Sequence, residues 1–129
     1  MTLTVTDNRN TLKVGGSNVA YITYTFTTDE SGDASEQTAT SIAGTIQKVV
    51  TIPDAVDTPT AGWDFTLIDE DGVDVLDGAA GDRDIDDAAA TETVTPYGKP
   101  EEANFNSKLT FTVANGGNAM SGTVKVYFI

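Results

Sequence analysis

The chain has 129 residues, 39% of them hydrophobic and 21% charged, with 20 acidic side chains against 7 basic ones and a net charge of −13. That is about one domain's length, enough to bury a core without covalent staples. It contains no cysteine and no histidine, which excludes disulfide frameworks, thiolate nucleophiles, Cys/His zinc centres and a Ser–His–Asp triad.

Taken in chain order, Thr2-Leu3-Thr4-Val5-Thr6 alternates apolar and hydroxyl residues, the period-two signature of a strand. It lacks the basic and apolar regions of a signal peptide, and residues 1–14 read as an N-terminal arm or edge strand. Gly15-Gly16-Ser17-Asn18 is a turn before Val19–Thr27, where Ala20, Ile22, Tyr24 and Phe26 share one face. Residues 29–40 are rich in Ser, Asp, Gly and Glu and are expected to form an exposed loop. Gly44–Ile52 reads as a strand ended by Pro53.

Trp63 stands before the alternating run Asp64–Ile68, and Asp71-Gly72 is expected to turn it into a second strand, Val73–Leu76. Asp82–Thr91 reads as a loop. Residues 96–106, with two prolines and two glutamates, are expected to be another exposed one. Lys108–Val113 and Thr123–Ile129 alternate again, and Asn115-Gly116-Gly117-Asn118 between them is expected to make a hairpin, since Asn and Gly tolerate positive φ. Seven or eight short strands without a capped 3.6-residue apolar stripe predict an all-β single domain, an antiparallel sandwich or barrel.

The charge is segregated along the chain. Fifteen carboxylates lie between Asp54 and Glu102, opposed only by Arg83 and Lys99, and the remaining residues sum to zero. Phosphate binding needs clustered Lys and Arg, so direct nucleic-acid binding is excluded. Calcium is the natural test of so many aspartates. Asp82-Arg83-Asp84-Ile85-Asp86 offers the first, third and fifth ligands of an EF-hand loop, but Asp87 stands where Gly is needed and Thr93 where a bidentate Glu is needed. No metal or cofactor is therefore expected. Paired carboxylates of glycosidase type carry no specificity in a chain this acidic, Gly15-Gly16 lacks the lysine of a phosphate loop, and no catalytic residue is assigned. No run of 18 apolar residues exists to span a membrane.

Interface chemistry is carried by aromatic and apolar residues. Trp63 is either a core aromatic closing one end of the fold or a stacking and anchoring residue. Tyr97, Phe105, Tyr127 and Ile129 are the other candidate interface positions. The terminal Val-Tyr-Phe-Ile run has no polar tail, so Phe128 and Ile129 are expected to be buried in the sheet or in a subunit contact. Long Thr-rich edges invite pairing with another chain.

The run from Pro59 to Gly78, with Thr66-Leu67-Ile68-Asp69-Glu70-Asp71-Gly72-Val73-Asp74-Val75-Leu76 at its centre and Gly81-Asp82-Arg83-Asp84 after it, resembles small virion proteins of tailed bacteriophages. So do Gly44–Pro53 and the closing Leu109-Thr110-Phe111-Thr112-Val113-Ala114-Asn115-Gly116-Gly117-Asn118 with Gly122-Thr123-Val124. The resemblance covers roughly residues 43–129. It implies a non-enzymatic virion structural protein, foremost a capsid decoration or cement protein on the outside of the shell, assembled in the bacterial cytoplasm. The implied partners are the major capsid protein and copies of the chain itself, a trimer being one such assembly. A head–tail connector or tail component is the alternative within the particle, and a carbohydrate-binding or adhesion module the alternative of another class.

Overall fold

The computed structural model of the chain describes residues 2–7, 20–83, 91–94 and 104–129. These hold nine strands and no helix: β1 (Thr2–Asp7), β2 (Ala20–Thr27), β3 (Ala34–Gln37), β4 (Ile42–Pro53), β5 (Asp64–Ile68), β6 (Glu92–Val94), β7 (Asn104–Ser107), β8 (Thr110–Ala114) and β9 (Ser121–Phe128). The larger sheet runs β1-β2-β9-β4-β6, with β7 also pairing on β4, and the smaller runs β3-β8-β5. Every pairing is antiparallel. The predicted all-β sandwich is the fold.

The core lies between the two inner faces, as period-two alternation requires. Ile22, Tyr24 and Phe26 of β2 and Val124, Val126 and Phe128 of β9 meet Phe65, Leu67, Phe111 and Val113 of the smaller sheet, all at 0–1% exposure. Their rings form a chain across the sandwich: Trp63 to Phe26 at 5.4 Å, Phe26 to Tyr24 at 6.0 Å, Tyr24 to Phe111 at 5.6 Å and Phe111 to Phe65 at 5.7 Å. These are tilted and edge-on contacts of the kind aromatic quadrupoles favour. Gly122 lets β9 pass over this cluster, because a Cβ there would stand 2.8 Å from the Phe26 ring and 3.1 Å from the Ile52 carbonyl.

In β4 the buried side is even-numbered at Ile42 and Ile46 but odd-numbered at Val49, Thr51 and Pro53. The register against β9 slips between Ile46 and Lys48. One extra residue at Gln47 thus forms a bulge that lets a twelve-residue strand keep its apolar side inward along its whole length.

Several expectations are corrected. Residues 29–40 are not wholly exposed: Asp29 ties a turn, and β3 follows, with Ala34 and Thr38 at 6% and 3% exposure. Residues 104–106 of the second expected loop belong to β7. Val73–Leu76 does not form a regular strand but opens a chain of turns, bridged to β5 at Ile68–Asp74 and closed by a second bridge at Trp63–Arg83. Asn115–Asn118 is no hairpin, because β8 and β9 lie in different sheets. It is an arch from one sheet to the other, with positive φ at Asn115, Gly117 and Ala119. The arch is pinned by Gly116 N–H to the Gly32 carbonyl and Thr60 N–H to the Gly116 carbonyl, and the Thr28 hydroxyl bonds the Gly117 carbonyl.

Candidate binding face

The aspartates are the first candidates for chemistry, and the structure gives many of them a local task. Asp74 accepts from the backbone N–H groups of Leu67, Leu76 and Gly78 at 2.9–3.1 Å. Asp69 accepts from Asp71 and Val73, Asp54 from Val56 and Asp57, and Asp64 from Asp82 N–H and the Asn115 amide. Glu70 accepts from Lys108 N–H and so clips the β5 turn to the start of β8. These carboxylates replace missing backbone partners in turns. The bonds from the backbone N–H groups of Asp57 and then Val56 lower the Asp54 carboxyl from its ordinary value. Among the described residues no group of three ligand side chains converges as a metal would require.

Arg83, isolated in sequence among acids, is likewise a backbone element. Its N–H reaches the Trp63 carbonyl at 2.6 Å, its own carbonyl accepts from Gly62 at 2.7 Å, and its guanidinium donates to the Gly81 carbonyl. With Val75 N–H on Leu67 and Phe65 N–H on Ala80, the acidic segment 73–83 seals the outer edge of β5.

The outer face of the larger sheet is chemically different. The register aligns Thr6, Tyr21, Tyr127 and Lys48 in one row, and Thr4, Thr23, Lys125, Val50 and Thr93 in the next. A third row carries Thr25, Thr123 and Ile52, and beyond it the Thr27 and Ser121 hydroxyls bond at 3.0 Å. Among the described residues these rows hold two lysines and no carboxylate, on a chain of net charge −13. Tyr21 and Tyr127 stand ring to ring at 5.7 Å, and the Lys48 ammonium lies 4.8 Å over the Tyr127 ring, a cation–π contact. At one end the face runs into a shallow groove of about 300 Å³ between Thr25, Ile52, Thr123 and Asp54.

The predicted interface residues divide. Trp63 is fully buried against Phe26, so it is a core residue and cannot serve as a stacking platform. Phe105 is buried too, edge-on to Phe128 at 5.3 Å, because its place opposite Gly44 puts it on the inner face. Phe128 is buried as expected. Ile129 is not covered by the sheet: its backbone exchanges two hydrogen bonds with Thr45, yet the residue is 52% exposed. Tyr127 and Ile129 share the outward parity of β9 and belong to the acid-free face. Tyr97 lies outside the described residues. Of the tyrosines that could point off the sheet, Tyr21 does so beside Tyr127, and Lys48 was missed as their companion. The signal was the threonine alternation, which marks an outward face but does not say which strands stand side by side.

Neither a protein-family model nor a curated protein matches the chain.

Proposed function

We propose that the chain is a structural binding protein, a capsid decoration protein of a tailed bacteriophage, and that it lies on the shell through the outer face of its larger sheet. The observation that carries the binding mode is the charge segregation. Turns hold much of the acid, whereas the face made by β1, β2, β9 and β4 presents hydroxyls, two tyrosines and two lysines. A broad flat face suits a broad flat partner such as the major capsid protein. The tyrosines supply anchoring area there, and rows without carboxylates keep the chain's own negative charge out of the contact. The acidic loops then face solvent and keep neighbouring particles apart. The virion assignment itself rests on the resemblance of residues 43–129 to small phage virion proteins.

Quantitative mass spectrometry of purified virions tests it. The expected result is a simple ratio to the major capsid protein. A few copies per particle would move the chain to the neck or tail, and its absence from particles would end the virion reading. The adhesion alternative keeps only its tyrosines, since Trp63 is buried.

A further inference from the structure

The sheet edges are protected unequally. The outer edge of β5 is sealed by segment 73–83. The strands β3, β6 and β7 are three or four residues long, too short to template a partner. By contrast β1 pairs with β2 over six residues without a bulge, and its sequence TLTVTD contains neither lysine nor proline. Among the described residues nothing pairs with its far side. Among the described residues no bulge, proline, lysine or covering strand keeps this edge from accepting another strand, and its one charged position is the last, Asp7. On the inner side of β1, Leu3 packs against the core while Val5 is 43% exposed.

We infer that β1 is the contact by which two copies of this chain pair, antiparallel about a two-fold axis through Thr4. The strand is its own best complement. With Thr4 opposite Thr4 of the second copy, Leu3 falls opposite Val5 and Thr2 opposite Thr6, so each position from Thr2 to Thr6 meets one of its own kind. Side chains keep their faces only if paired positions share parity, which this register satisfies. Centring on Val5 instead would set Leu3 against Asp7. In the Thr4 register the two Asp7 positions lie at opposite ends of the ribbon, about 20 Å apart at ~3.4 Å per residue. A chain of net charge −13 can thus meet itself here without opposing carboxylates. The two large sheets become one continuous sheet, and the contact is isologous, as a two-fold requires. This inference is independent of the proposed capsid role.

The chain has no cysteine, so a single introduced thiol reads the register directly. Directly opposed residues have Cα atoms about 4.5–5.5 Å apart, within disulfide range. Thr4→Cys is expected to cross-link to a dimer under mild oxidation, and Thr6→Cys, about 14 Å from its own copy at ~3.4 Å per residue, is expected to stay largely uncross-linked. Light scattering on the unmodified chain is expected to give twice the chain mass. A monomer with no preferential Thr4→Cys cross-link overturns the inference. A dimer in which Thr4→Cys does not cross-link, or cross-links no better than Thr6→Cys, overturns the interface.

Discussion

Asp74 shows how a surface charge becomes a framework group. Its two oxygens hold the backbone N–H groups of Leu76 and Gly78, in a segment with no regular strand, and that of the fully buried Leu67 in β5. Asp74→Ala is expected to destabilise the fold by about 1–3 kcal/mol, the cost of leaving such donors unmet, measured by urea unfolding. Asp57→Ala is expected to change little, since Asp57 is exposed and its N–H merely donates to Asp54. Gly122→Ala is expected to cost about 1–3 kcal/mol through overpacking against Phe26.

Tyr24 gives the fold a pH dependence of known sign. Burial, with the Glu36 carboxylate adding to it, pushes its phenol up to about 12. In the unfolded chain a tyrosine ionises near about 10, so above that pH the unfolded state loses a proton that the fold keeps. The contribution is complete below about 10 and is lost as the pH rises towards about 12. Unfolding free energy measured across that window is expected to fall, and Tyr24→Phe is expected to flatten the decline. An unchanged slope in the variant would assign the loss to other groups.

At the scale of elements, the strands with strict alternation were legible: Thr2–Thr6, Val19–Thr27, Lys108–Val113 and Thr123–Ile129 correspond to β1, β2, β8 and β9 wherever they are described. What alternation does not encode is pairing. Asn115-Gly116-Gly117-Asn118 has turn chemistry suited to a hairpin or an arch. The choice was made by contacts far away in sequence, at Thr28, Gly32 and Thr60. Short strands such as β3 and β7 escaped notice because their register against β8 and β4, rather than their composition, makes them strands. The bulge at Gln47 is a further long-range feature, since only the phase of β9 shows where β4 must slip. Deleting Gln47 leaves Ile42, Gly44, Ile46, Val49, Thr51 and Pro53 at every second position, so it removes the bulge without turning either half of β4 over. That variant is expected to retain its cooperative unfolding transition in circular dichroism, as is Gln47→Ala; loss of the transition by the deletion alone would show that the fold needs the bulge itself.

For the whole molecule, much of the acid among the described residues goes into turn-making and exposed loops. The sequence showed where the carboxylates lie along the chain but not that four strands from distant segments would assemble outward rows that hold none among the described residues. The same limit applied to Trp63 and Phe105, whose residue type suited an anchor and whose strand parity buried them. Tyr127 and Ile129 were legible as outward positions of β9 because the terminal alternation is strict. Tyr21 and Lys48 become their neighbours only through the β2–β9 and β4–β9 registers.

The central claim is that this face carries the binding, and a charge placed on it tests that claim most directly. Thr23 and Lys125 stand opposite one another in its middle row. Thr23→Glu with Lys125→Glu would put two carboxylates there, while Asp57→Asn with Asp77→Asn changes charge only in exposed turns. The measurement is co-sedimentation of each folded variant with virus shells lacking the native chain. The account predicts a loss of at least tenfold in affinity for the face variant and little change for the loop variant. Retained binding by the face variant together with loss by the loop variant would contradict it and place the contact on the acidic loops.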